Sequence, residues 1–431
     1  MKRIIISLAL LLPLLAQAQT QLTLQSAIDS ALKNNLDIQI AKNYVQIARV
    51  SNTYGMAGGL PYINGNATDY FSSTSVNQKS NSGTETNESG IMGNSLNASI
   101  NANIILFNGF KVMATKKHLS LLQQQSQIEL NAQVQDIMAS VMIKYYDIIR
   151  QQSNLRIMQS VLGVSQKKLD IINEKNGVGM ANGVDMMQAQ SDVNSAEQDL
   201  KLQQLYIEQD KADLLQLMNV HNKSDFSISD SIVIDHSLNL DSTISYLKRN
   251  PQLLSAEQQI KINEQLLKET ASQRYPSLKF NAAYNFGRAD NNGGSLLLNQ
   301  NYGPQAGFTL AVPIFNGGVY HIQKIVAGLN VANAKLNKDN LYNELLTSLT
   351  KQHLAYSTTL QQIESQQTNY ELAKKLLDLV MQNLQQGQAT ILEEKAAETS
   401  YQSAAYQLIN FQYAAKVAEI ELKLLTYQLR Y

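Results

Sequence analysis

The chain has 431 residues, 44% of them hydrophobic, which is enough to bury a core rather than remain disordered. Its 35 Lys and Arg balance 35 Asp and Glu, so there is no electrostatic footprint for nucleic acid or for an anionic surface. Cysteine is absent, which excludes a disulfide framework, a thiolate metal site, a catalytic thiol and a lipidated N-terminal cysteine.

At the start of the chain, Lys2 and Arg3, an apolar run from Ile4 to Leu15 and the small-residue pattern Ala16-Gln17-Ala18 predict a secretory signal peptide over 1–18, cleaved before Gln19. The run is shorter than the roughly 20 apolar residues a membrane helix needs. No later segment reaches that length, so the mature chain is either exported in soluble form or inserted by strands.

The first half, 19–220, opens with a helical pattern (Leu24, Ala27, Ile28, Ala31, Leu32) that stops before Pro61. After the proline the period changes to two, which predicts strands at about 61–71 and 95–107, separated by a polar loop from Ser72 to Gly90. In the second of these strands Leu96, Ala98, Ile100, Ala102 and Ile104 alternate with Asn and Ser. From Gly109 to Asn176 there is no proline and almost no glycine, which predicts one helix of roughly 68 residues, about 100 Å long. A turn at 176–183 precedes a return helix, Val184 to Met218. The segment 221–242 is polar, carries a strand-like run from Ile228 to Ile234, and is expected to pack beside the helices as a linker.

The second half, 243–431, repeats the first. Leu32-Lys33 and Asn35 recur as Leu247-Lys248 and Asn250, and Pro61 recurs as Pro276, all at one spacing. Phe107-Asn108-Gly109 recurs as Phe315-Asn316-Gly317, Gly179 as Gly387, Ala189 as Ala397 and Leu217 as Leu425, at a second, shorter spacing. The loss falls between two predicted strands, 276–287 and 304–315, where a loop from Arg288 to Gly303 absorbs it cheaply. In the long helix predicted over 317–384, Tyr342, Leu349, Tyr356, Ile363, Tyr370, Leu377 and Leu384 keep sevenfold spacing, a left-handed coiled-coil seam. A turn at 385–390 and a return helix from Ile391 to Gln428 complete the copy. The fold class is α+β, a duplicated helix, β-hairpin, long-helix and helix unit.

Hairpins of about ten residues per strand are long enough to cross a bilayer when tilted. Four such strands cannot close alone, because known single-chain barrels start at about eight and open edges in lipid leave backbone groups unpaired. Strands in lipid therefore require several copies: three give twelve strands and two give eight, and the long helices continuing from the strands favour the larger, hollow tube. The Gln-rich helix faces (Gln123-Gln124-Gln125, Gln361-Gln362) suit a wetted inner wall and equally suit a solvated outer face. Aromatics beside the strands, Tyr62, Tyr70, Phe71, Tyr284 and Tyr302 among them, fit interfacial girdles or core packing. The alternative for the whole chain is an exported coiled-coil structural or adhesin-like protein with soluble hairpins and no pore.

The ordered set of signal peptide, duplicated unit, Pro61 and Pro276 before the strands, and Leu106-Phe107-Asn108-Gly109 with Ile314-Phe315-Asn316-Gly317-Gly318 after them resembles the TolC-like outer-membrane efflux proteins over essentially the whole mature chain. The resemblance implies a homotrimeric membrane protein with a 12-stranded β-barrel in outer-membrane lipid, continued by an α-helical barrel across the periplasm. It implies an exit duct for efflux or type I secretion, partnered by a periplasmic adaptor (membrane fusion) protein and an inner-membrane transporter, with no catalysis. It further implies that the helix tips meet the adaptor. Val178-Gly179-Met180 fits the family's tip pattern, whereas Gln386-Gly387-Gln388 departs from it. Acidic residues beyond the tips line a constriction in the family. Asp185 and Glu393, equivalent in the two copies, are the candidates, with helix capping as the alternative role. The second acidic position of the family is Ala396 here, so a double ring is not expected.

Enzyme signatures do not assemble. Gly177, Gly179 and Gly183 follow a helix and have the wrong spacing for a dinucleotide fingerprint. The five histidines are scattered without zinc-ligand spacing, and there is no nucleophile elbow. No cofactor or metal is expected. The transported cargo is not written in this chain.

Overall fold

The protein is described from a computed structural model covering residues 20–221, 226–294 and 296–430. The signal peptide predicted over 1–18 lies outside the described residues. In chain order the elements are β1 (Thr20–Gln21), α1 (Leu24–Asn34), α2 (Leu36–Ser51), β2 (Tyr62–Lys79), β3 (Glu85–Asn108), α3 (Lys111–Gly177), α4 (Gly183–Leu217), β4 (Phe226–Ser227), α5 (Leu240–Tyr246), α6 (Pro251–Ser272), β5 (Ser277–Asn291), β6 (Leu298–Ala311), α7 (Val319–Gln385) and α8 (Ile391–Leu425). They divide into two compact units: Tyr44–Gln127 with Ser255–Asp339, which holds the sheet β2 to β6, and the described residues up to Asn43, Ile128–Leu254 and from Asn340 onward. No helix among the described residues is long and apolar enough to cross a membrane.

In the second of these units the seam expected on α7 packs inward. Leu349 and Tyr356 join Leu247, Leu253, Leu345 and Leu422 in one core, and further along Leu377 packs with Ile157, Val161, Ala397 and Tyr401. The largest core, around Ile28, Ile38, Tyr145, Ile148 and Leu214, is built mainly by the first repeat, with Ile420 and Leu429 from the second.

The residues that betray the duplication are hydrogen-bond clasps. Asn35 and Asn250 are both buried. Asn35 Oδ1 accepts from the amides of Asp37 (2.9 Å) and Ile38 (3.3 Å), capping α2, while its Nδ2 donates to the Leu217 carbonyl at 2.9 Å. Asn250 repeats this with Gln252 (2.8 Å), Leu253 (3.4 Å) and the Leu425 carbonyl (2.9 Å). One amide side chain thus satisfies helix-start donors and a helix-end acceptor together. The end of each return helix is also duplicated, with Asn219 (φ 51°) and Tyr427 (φ 57°) in the left-handed region. There Val220 N bonds to Leu215 O at 3.0 Å and Gln428 N to Lys423 O at 2.7 Å.

The Phe-Asn-Gly repeats mark the joins between strand and helix. Gly109 adopts φ 66°, and a Cβ there would lie 2.6 Å from the Ser272 carbonyl oxygen and 2.7 Å from Tyr275 Cβ. Only glycine meets both demands. Gly317 (φ 68°) and Gly318 (φ 80°) face open space, so in the second copy the backbone angle alone requires glycine.

Three expectations are corrected. The first polar loop, expected over Ser72 to Gly90, is mostly strand: β2 and β3 stay paired to Lys79 and Glu85, and the turn occupies only the residues between them. The second, expected over 288–303, shortens likewise to the stretch between Asn291 and Leu298. Alternating hydrophobicity marks only strand segments with one face in an apolar medium, whereas backbone pairing continues through Ser, Thr and Asn on both faces. β6 stops at Ala311 rather than at 315, because Pro313 has no N–H for the ladder.

The run from Ile228 to Ile234 is not a strand. The hydrogen-bonded pair is β4 with β1, parallel. Ile228 and Ile232 pack into the largest core and Ile234 against the core around Leu349 and Tyr356, but no strand among the described residues pairs with this run. It is held instead by side chains: Asp235 N donates to Glu419 Oε2 at 2.9 Å, Lys423 Nζ to Asp235 Oδ2 at 2.9 Å, and the Tyr356 hydroxyl to the Asp235 carbonyl. Bonds from Ser237 and then from Lys423 hold the Asp235 carboxyl well below the usual carboxylate range.

Candidate functional site

Two places carry chemistry beyond packing, the sheet and the helix tips. The sheet runs β2-β3-β5-β6, all antiparallel, so β2 and β6 are both open edges. The register sorts its side chains into two faces. On one, Ala98 lies beside Ala67 and Phe286, Ile100 beside Tyr284, and Ile104 beside Phe280, which is opposite Phe308. The Phe280 and Phe308 rings sit 5.2 Å apart. This apolar face ends at Leu96, in a row that also holds Asp69, Arg288 and Gln300 and where Arg288 pairs with Asp290 at 2.7 Å. Below, the join to the helices is marked by Phe107 against Phe110, rings 5.4 Å apart and edge to face.

The opposite face is a field of amides and hydroxyls. Asn64, Asn101 and Gln305 share one level and Asn66, Ser99 and Asn285 the next, each cross-strand from its neighbour or one strand removed. Short bonds run along it: Asn101 to Ser99 at 3.0 Å and Asn281 to Thr309 at 2.7 Å. Apart from Gly287, every residue of the four strands is exposed or half-buried. Phe308, for example, is 69% exposed, so among the described residues the apolar face has no protein layer over it.

The two tip turns are built alike. Gly179 and Gly387 both take φ 77°, and the turn closes through Met180 N to Lys175 O and Gln388 N to Asn383 O, each 2.8 Å. Asn182 and Thr390 then cap the return helices, with Asp185 and Glu393 as reciprocal partners. Asn182 accepts from Asp185 N at 2.9 Å, and Thr390 N donates to Glu393 Oε2 at 2.8 Å. The bonds from Thr390 hold the Glu393 carboxyl below its ordinary value. Both acids therefore have a capping role in the single chain. Val178 and Met180 are 71% and 72% exposed, and Gln386, Gly387 and Gln388 are exposed as well. A cleft of about 580 Å³ between the turns is lined by Met180, Val184 and Asp185 on one side and by Thr390, Ile391 and Leu392 on the other. The structure thus brings Asp185 and Met180 to the second turn, while Glu393 does not line the cleft.

Sequence reasoning missed a buried ionic cluster behind the tips. Lys168 of α3 is fully buried, with Nζ 2.7 Å from Asp192 Oδ2 of α4, 2.7 Å from Glu394 Oε2 and 3.7 Å from Glu398 Oε2 of α8. Ser165 donates to Glu398 at 3.2 Å, and Lys395 lies 2.7 Å from its other oxygen. Burial works against the Lys168 charge, but the bonds to Asp192 and Glu394 outweigh it and raise its pKa. Burial raises that of Glu394. The signal was available in the repeats: Lys168 falls where the second copy has Leu376, and Glu394 where the first has Met186.

Comparison with known proteins agrees with this geometry. The family model described as outer membrane efflux protein matches residues 27–220 and 245–426, one match per repeat. Among solved structures, CusC, reported with transmembrane channel formation, superposes with a TM-score of 0.76 at 18% identity, covering 95% of this chain and 92% of its own. The CmeC outer membrane channel of Campylobacter jejuni gives 0.78 at 18% identity, covering 94% and 85%. The outer membrane protein VceC of Vibrio cholerae gives 0.74 at 17% identity, covering 94% and 95%.

Proposed function

Because the chain belongs to the outer membrane efflux protein family, we propose that it is the exit duct of a tripartite efflux or type I secretion system. It works as a homotrimer, takes its cargo from an inner-membrane transporter through a periplasmic adaptor, and performs no catalysis. The observation that carries this reading is the sheet: four strands with two open edges and an uncovered apolar face. In water that surface aggregates, and in lipid its edge amides and carbonyls cost several kcal/mol each unless paired. Joining β2 of one copy to β6 of the next removes both liabilities, and three copies close with twelve strands. The apolar face then meets outer-membrane lipid and the amide face encloses water. The helical unit extends into the periplasm, where the exposed Val178, Gly179 and Met180, with Gln386, Gly387 and Gln388, offer contacts to the adaptor.

Purified protein reconstituted in planar bilayers is expected to give discrete conductance steps from particles of trimer mass. Protein that stays soluble without detergent and never conducts would establish an exported structural protein instead. In the same recordings, Asp185→Asn combined with Glu393→Gln is expected to lower cation preference if the six carboxylates of a trimer line the entrance. Unchanged selectivity assigns both residues to helix capping alone.

A further inference from the structure

Within the apolar band of the sheet, the opposite face carries Asn, Ser, Thr, Gln and Gly with Tyr62, Ala283 and Ile105, and one charged residue, Lys279. It lies on β5 near the join to the helices, cross-strand from Ile105 and Thr309 and one row below Asn103, Asn281 and Gly307. Its side chain is exposed. The ion pairs on the four strands among the described residues are Lys79–Glu85 and Arg288–Asp290, both beyond the apolar band, and neither involves Lys279. An ammonium without an ion-pair partner among the described residues is thus held on an uncharged, mostly polar wall. That wall offers it no counter-charge.

We propose that Lys279 forms a ring of three cations at the periplasmic-side end of the barrel lumen and makes this section of the pore favour anionic solutes. The inference rests on the trimeric-channel reading, which turns the amide face into the lumen. Coulomb interaction across a water-filled pore is screened over about 10 Å at 0.1 M salt and about 3 Å at 1 M, so the ring acts on small ions mainly at low salt. It is opposite in sign to the acidic positions at the tips. Anionic groups on a passing solute meet it after the entrance and before the neutral amide wall.

The natural absence of cysteine makes the test direct. Lys279→Cys and Phe280→Cys are each reconstituted, and current is recorded while a negatively charged methanethiosulfonate is added to the aqueous phase. Modification at 279 is expected to raise the cation-to-anion permeability ratio at least about twofold in 0.1 M salt and much less in 1 M. Position 280, on the lipid face, is expected not to react. Lys279→Glu is expected to shift the reversal potential in the same direction without chemical modification. A conducting wild-type channel whose position 279 neither reacts nor alters selectivity would overturn the ring while leaving the channel intact. A wild type that never conducts would overturn the channel reading and the ring with it.

Discussion

At the scale of single residues, the buried asparagines show what the repeated letters of the sequence encode. Asn35 and Asn250 each serve two helix ends, so replacement removes a cap and orphans a buried carbonyl. Asn35→Ala is expected to destabilise the protein by about 1–3 kcal/mol, read as a lower denaturation midpoint in detergent. Asn35→Asp keeps the cap acceptor but loses the donor to Leu217 O, so it should recover only part of that loss. The Lys168 cluster follows a different logic. Lys168→Leu leaves Asp192 and Glu394 buried without their partner, at an expected cost of about 3–5 kcal/mol. Supplying the rest of the other repeat's residues as well (Asp192→Ser, Glu394→Met, Glu398→Gln) should restore most of the stability, because a fully apolar or neutral site has no stranded charge. If the combined variant is no more stable than the single one, the cluster is not a self-contained unit. The asparagines were visible as a repeat. The cluster was not, because its members lie on three helices and the pattern marks them only by what the other copy lacks.

At the scale of elements, helices were more legible than strands. Of the seven residues at sevenfold spacing on α7, Leu349, Tyr356, Leu377 and Leu384 are buried and Tyr342, Ile363 and Tyr370 half-buried. Strand length was underread, because β2 and β3 continue through a Ser-, Thr- and Asn-rich stretch where neither face is apolar and periodicity falls silent. The change from alternating to mostly polar sequence, broken by Val76, Ile91 and Met92, ends the apolar pattern along each strand. That boundary coincides with the row of Asp69, Arg288 and Gln300. A charge placed inside the band is accordingly expected to be costly on one face only. Phe308→Arg, on the apolar face below the middle of the band, should cost about 1–3 kcal/mol and reduce the yield of membrane-inserted protein. Gln305→Arg, three residues away and on the amide face, should insert normally. Equal behaviour of the two variants would mean that the faces do not divide lipid from water.

At the scale of the molecule, duplication explains why one chain supplies half-finished surfaces. Each repeat contributes a hairpin, the two hairpins meet at β3 and β5, and the remaining edges, β2 and β6, belong to different repeats. A contact between copies that joins β2 to β6 is heterologous: it pairs unlike surfaces, and it closes into a ring where the rotation from copy to copy allows. The sequence displayed the repeats and hence the strand count. It could not display the strand order, because pairing between repeats depends on partners far apart in the chain. Cysteine-free chemistry makes closure testable. A single cysteine on the β2 edge (Asn64→Cys or Asn66→Cys), or on the β6 edge (Gly303→Cys or Gln305→Cys), should give no covalent oligomer on oxidation in the membrane. Chains carrying one cysteine on each edge, tested in the four combinations to find the register, should yield a ladder that ends at the trimer. A dimer from the β2 cysteine alone would show instead that like edges meet, and a two-fold assembly would replace the ring.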